Sequence, residues 1–110
     1  MDSYAARYAA LRRSGEPVIV DGPCLSACTM LLGMLPRQQV CMTDNAVLGF
    51  HAAWRPDPYG NRVVSASATR ALMGTYPPRI RSWIARRGGL KSKMIFLRGR
   101  ELSGMYAMCR

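Results

Sequence analysis

Ser26 and His51 are the residues of this sequence best suited to nucleophilic chemistry. A serine hydroxyl attacks a carbonyl only when a base within hydrogen-bond reach takes its proton, and an imidazole is the usual base. His51 is the single histidine among 110 residues. Ser26 lies in VIVDGPCLSAC, where a β-branched apolar run leads through Gly22-Pro23 into a serine that opens a helical segment. A strand–turn–helix of that kind aims a side chain out of the carboxyl end of a sheet. It also leaves backbone N–H groups unpaired beside the serine, so the N–H of Ala27 is the candidate donor to an oxyanion. The G-x-S-x-G pattern of the α/β-hydrolase elbow is absent. Taken singly, Ser26 reads as a helix cap and His51 as a packed imidazole. Two successive parallel strands ending on one edge of a sheet would bring them together.

Four cysteines, Cys24, Cys28, Cys41 and Cys109, are many for so short a chain. An even count suits disulfides formed in an oxidising compartment, and four cysteines allow three pairings. Zinc and buried free thiols are the competing uses. Cys24-x3-Cys28 is not a usual zinc knuckle and Cys41 and Cys109 stand alone, so no metal is expected. Nothing in the sequence implies a cofactor.

The net charge is +10, and half of the sixteen cations fall between positions 79 and 100: Arg79, Arg81, Arg86, Arg87, Lys91, Lys93, Arg98 and Arg100. Such a surface attracts polyanions by counterion release. No recognition-helix, zinc-finger or RNA-binding signature accompanies it. A solvated helix face is the favoured reading, and nucleic acid is a possible partner that is not favoured. No apolar run reaches the roughly 18 residues of a membrane span. The start, MDSYAARYAALRRSG, lacks the features of a secretory signal and reads as a helix.

The elements that position the candidates follow from periodicity and punctuation. Residues 3–14 place Tyr4, Tyr8 and Leu11 at helical spacing, with Asp2 or Ser3 as cap and Gly15 as stop. Val18-Ile19-Val20 reads as a strand buried on both faces. Asp21-Gly22-Pro23 is a turn, and residues 27–35 are a central helix ended by Pro36. Residues 39–42 and 46–50 are two further strands, the second delivering His51 at its end. The segment WRPDPYGNR is dense in Pro, Gly and Asn and reads as a surface loop. Ser65 caps a helix running to about Thr75, and Pro78 opens another with the apolar stripe Ile80, Trp83 and Ile84, ended by Gly88-Gly89. Residues 94–97 fit strand or helix. Leu102, Met105, Tyr106 and Cys109 line one face of a last short helix. The alternation points to an α/β fold with a mainly parallel sheet, as a single domain over residues 1–110.

The segments GPCLSACTMLLGM and AVLGFHAA resemble the Clp protease proteolytic subunit and its crotonase-fold relatives, especially Clp-like periplasmic proteins of bacteria. In that pattern a nucleophilic serine opens a helix after a buried strand, and a histidine ends a later strand about 25 residues on, the separation found here. GRELSGMYA resembles a segment near the family's C-terminus. The resemblance spans residues 15–106 and is strongest over 18–53. It implies a Clp/crotonase-like parallel β-sheet with surrounding helices, a serine peptidase acting on peptide or protein substrates, homo-oligomeric assembly and a periplasmic or otherwise extracytoplasmic home. A catalytically inactive scaffold of the same fold and a basic nucleic-acid-binding protein are the alternatives.

The sequence departs from the family in two places. The family's oxyanion loop, Gly-Gly after an early strand about 30 residues before the serine, has no counterpart, because only 25 residues precede Ser26. One lost oxyanion donor costs on the order of 100–1,000-fold in rate. The expectation is a partial domain whose N-terminal strand and loop are missing, from a longer secreted protein. The family's third catalytic residue would fall near Gly99. Glu101 is the nearest acid, with helix capping as its other role, and Asp57 follows His51 in sequence; the third role is open.

Overall fold

The structure, a computed structural model, describes residues 2–110, Asp2 and Ser3 by their backbone alone. The chain forms two compact units, one comprising Met1–Gly49 and Phe96–Arg110 and the other Phe50–Ile95. The architecture is mixed α/β with small sheets. Seven strands are present among the described residues: β1 (Val18–Val20), β2 (Pro23–Leu25), β3 (Val40–Met42), β4 (Val47–Phe50), β5 (Trp54–Pro56), β6 (Arg62–Val64) and β7 (Ile95–Arg98). The helices are α1 (Asp2–Ser14), α2 (Leu31–Met34), α3 (Ala66–Thr75), α4 (Pro78–Arg86) and α5 (Gly99–Ser103), with 3-10 turns over Ser26–Met30 and Arg37–Gln39. No helix among the described residues is long and apolar enough to cross a membrane.

In the first unit, α1 ends as the sequence indicates. Gly15 adopts φ +70 and donates its N–H to Leu11 O at 3.1 Å, a left-handed stop that a Cβ resists. Capping by Asp2 or Ser3 concerns side chains outside the described residues. Tyr8 faces inward and is buried. The buried side chain of Gln39 donates from Nε2 to Leu11 O (2.6 Å) and Glu16 O (2.9 Å), tying the end of the helix and the segment after it to the start of β3.

Two parallel pairs form the frame. Val18, Ile19 and Val20 lie opposite Val40, Cys41 and Met42, and Pro23, Cys24 and Leu25 lie opposite Val47, Leu48 and Gly49. The offset grows from 22 residues in the first pair to 24 in the second, so the β3–β4 side carries two extra residues at the break. A turn closed by Ala46 N–H to Thr43 O absorbs them. Asp21 stitches the corner, accepting from Thr43 Oγ1 (2.6 Å) and Asn45 Nδ2 (3.2 Å), and these bonds hold its carboxyl below the ordinary value. The second sheet has the order β2-β4-β7. Leu31, Leu32, Leu35, Val40, Met42, Leu48, Leu97 and Leu102 are among the buried side chains of the first unit.

Several expectations are corrected here. The sheet is not one three-stranded layer but small sheets with an added strand β2, because Pro23 occupies a strand start rather than a turn. Val18–Val20 is buried on one face only: Val20 is buried and Ile19 is 62% exposed. The helix expected over 27–35 is a 3-10 turn followed by four α-helical residues. Residues 94–97 resolve as strand β7, starting at Ile95. The last helix stops at Ser103, and the backbone of Met42 then pairs in parallel with Met108. Cys109 thus belongs to this pairing rather than to a helix face.

In the second unit, the segment read as a surface loop is an antiparallel hairpin, with Trp54, Arg55 and Pro56 opposite Val64, Val63 and Arg62. All six residues are exposed, so no apolar alternation marks them. The turn is built on Asp57, whose carboxylate accepts from the backbone N–H groups of Tyr59 (2.9 Å) and Asn61 (2.8 Å). Phe50 packs edge-on against Tyr76 at 5.2 Å and tilted against Trp83 at 5.8 Å, and Ile80, Trp83 and Ile84 are buried as their spacing requires. Of the cations between 79 and 100, Arg81 donates to Tyr76 O (2.7 Å) and Arg87 lies 4.9 Å over Trp83; Arg79, Arg86, Lys91 and Lys93 are exposed.

Ser65 caps α3, its hydroxyl accepting from Ala68 N–H at 3.2 Å. Ser65→Ala is expected to cost about 1 kcal/mol. A lowered urea midpoint, with the Ala68 amide exchanging faster, is the corresponding measurement.

Candidate active site

Ser26 stands where strand β2 gives way to a 3-10 turn. Leu25 before it is extended (φ −112, ψ 142), and a 3-10 turn begins at Ser26 itself. Ser26 is therefore the first residue of the turn and not its cap. Its φ is +56, and it is the one non-glycine residue with positive φ among the described residues. The left-handed region costs an L-residue about 1–3 kcal/mol and persists only where the surroundings enforce it. The enforcing contacts are visible. Thr29 Oγ1 donates to Ser26 O at 2.6 Å, Tyr8 Oη donates to Cys28 O at 3.0 Å, and a disulfide joins Cys24 to Cys28 with their Cα atoms 5.2 Å apart. Burial pushes the Tyr8 phenol above its ordinary value.

The backbone thus passes from strand β2 to the 3-10 turn through a serine held at positive φ. In the G-x-S-x-G pattern the residues two before and two after the serine are glycines. Here those positions are Cys24 and Cys28, and a covalent bond spans them. The symmetry of C-x-S-x-C about Ser26 is the sequence signal for this bond. Ala27 is the second residue of the 3-10 turn, among those whose N–H groups such a turn cannot pair internally.

Relief of the left-handed strain is testable without any substrate. Ser26→Gly is expected to raise stability by about 1 kcal/mol, and Ser26→Ala to give no such gain, since only glycine adopts φ +56 freely. Urea midpoints at unchanged slope report the difference.

His51 follows β4, as expected, in the second unit. Its Nδ1 lies 2.6 Å from Ala52 O. A carbonyl only accepts, so this bond places a proton on Nδ1 and leaves Nε2 as the basic nitrogen. The carbonyl itself is held firmly. Ala52 is fully buried, its N–H donates to Lys91 O at 2.7 Å, and Ala53 N–H donates to Thr69 Oγ1 at 3.0 Å. The imidazole stacks on Trp54 with centroids 4.6 Å apart and planes 19° apart, and Arg62 lies 5.1 Å over the same indole. Tautomer and ring plane are therefore both fixed by these neighbours. Trp54 gave a signal as an aromatic three residues on; a backbone carbonyl gives none.

The acids considered for the third role fall as follows. Asp57 serves the hairpin turn, where the Asn61 N–H holds its carboxyl below the ordinary value. Glu101 lies in the first turn of α5, in the first unit. Tyr59, at the hairpin turn, is 89% exposed. A cavity of about 390 Å³ in the first unit is lined by Thr43, Asp44, Arg100, Leu102, Ser103 and Met108 among others, and contains none of the candidate residues.

All four cysteines are spent in two disulfides, Cys24–Cys28 and Cys41–Cys109, so no thiolate is left for a metal. Among the described residues no cluster of three His, Cys, Asp or Glu side chains suits a metal ion. Comparison of the chain with protein-family models, with curated proteins and with solved structures returned no match.

Proposed function

We propose that this chain carries a serine-hydrolase site of the Clp/crotonase type, acting on peptides. Ser26 attacks the substrate carbonyl, His51 Nε2 takes the hydroxyl proton and returns it to the leaving group, and Ala27 N–H donates to the oxyanion. The observation that carries this reading is the left-handed backbone of Ser26 at a strand-to-helix turn, since strain of that kind gathers at reactive residues. A further observation supports it: the His51 imidazole is held as the Nδ1–H tautomer. The two disulfides suit an extracytoplasmic, oxidising home such as the periplasm.

A fluorophosphonate probe, which phosphonylates activated serines, tests the proposal. The oxidised protein is expected to label at Ser26, Ser26→Ala not at all and His51→Ala far more slowly. A folded, oxidised protein that does not label would overturn the reading and leave a non-catalytic scaffold.

A further inference from the structure

We propose that the Cys24–Cys28 disulfide is a positioning clamp for Ser26, and that opening it with a dithiol disarms the serine. The disarming rests on the hydrolase reading above; the clamping does not. The covalent ring Cys24-Leu25-Ser26-Ala27-Cys28 has Ser26 at its centre, and Ser26 alone among the non-glycine residues described is left-handed. Beside the backbone pairing of β2 and of the 3-10 turn, two single hydrogen bonds hold this bend, from Thr29 Oγ1 to Ser26 O and from Tyr8 Oη to Cys28 O. A single hydrogen bond contributes no more than the left-handed conformation costs, and water competes for it. The disulfide is the one constraint that solvent cannot exchange. With the ring open, Ser26 relaxes to a right-handed or extended φ, and its hydroxyl swings away from the direction the turn imposes.

The clamp can be reached. Cys24 is buried, whereas Cys28 is partly exposed, so its sulfur is the one a reductant would attack. A reductant thiolate attacks that sulfur, giving a mixed disulfide and freeing Cys24 as a thiolate. The reductant's second thiol then displaces Cys28 and closes its own disulfide. Two electrons and two protons pass from the dithiol to the protein, which ends with two thiols. Reoxidation restores the ring, so the serine would be armed in an oxidising compartment and silent in a reducing one.

The native chain permits a test within a single peptide. Trypsin releases residues 14–37 intact, because no Lys or Arg lies between Arg13 and Arg37, and this peptide carries Ser26 and both cysteines. The protein is treated with graded dithiothreitol, labelled with the fluorophosphonate, alkylated, digested and analysed by mass spectrometry. Peptides with the closed ring are expected to carry the phosphonyl group at least about tenfold more often than doubly alkylated ones, the factor that strain of this size supports. Equal phosphonylation of open and closed peptides overturns the proposal. The NMR intraresidue HN–Hα NOE of Ser26, strong when φ is positive, gives a readout independent of reactivity. It should weaken in Cys24→Ala/Cys28→Ala and in the reduced parent. An unchanged NOE in both overturns the clamp. If the oxidised parent does not label at all, the hydrolase reading fails and the NOE alone decides the clamp.

Discussion

Ser26→Ala and His51→Ala are each expected to slow hydrolysis of a p-nitrophenyl ester by about 1,000-fold, within the range attributed to a positioned general base. The double variant is expected to be no slower than either single one. In the proposed site, nucleophile and base act on the same proton. Without His51 the hydroxyl of Ser26 keeps its proton and attacks poorly; without Ser26 the imidazole has no proton to take, so the second loss removes nothing further. The residual rate would come from binding and from the Ala27 N–H, one donor where a complete oxyanion hole has two. Losses that multiply in the double variant would mean that the two residues act separately, and that outcome would sink the pairing.

Much of the frame was legible because its signals are local. Gly15, Ser65 and Pro78 each act within one helical turn, and each does in the structure what its chemistry dictates. The stripe Ile80, Trp83 and Ile84 is buried because one helix face must be. What escaped depends on contacts distant in sequence or on backbone alone. The hairpin hid behind Pro56, Pro58 and Gly60, since a two-stranded ribbon exposed on both faces needs no alternating pattern. Proline ends β5 opposite Arg62, where a missing N–H is tolerated at the edge of a ribbon. Strand β2 escaped because three residues between a proline and a serine carry too little periodicity to read. At the candidate site, residue types identified Ser26 and His51, but the features that would tune them are a φ angle, a carbonyl and a sulfur–sulfur bond. Pairing was open among three choices, and only folding brings Cys41 to Cys109 across a sequence separation of 68.

That separation makes Cys41–Cys109 the bond with the larger effect on stability. In the chain-entropy account, closing a loop of this length constrains the unfolded chain by about 4 kcal/mol, against about 2 kcal/mol for the short Cys24–Cys28 ring. Replacing both Cys41 and Cys109 by Ala is therefore expected to remove about 4 kcal/mol from the first unit, a large part of the 5–15 kcal/mol that a domain typically holds. The backbone at this point is already paired: Met42 N–H donates to Ala107 O at 2.9 Å and Cys109 N–H to Met42 O at 2.8 Å. These bonds survive the substitution only while the C-terminal segment stays docked, and the disulfide is what keeps Ala107 and Cys109 at hand when it frays. Removing it should therefore expose this ladder first. Amide exchange at Met42 and Cys109 should accelerate before the urea midpoint for the whole unit falls. A loss near 4 kcal/mol with that order of events supports the entropic account. A loss below about 1 kcal/mol would mean that the unfolded chain already holds these ends together, leaving the disulfide little entropy to remove.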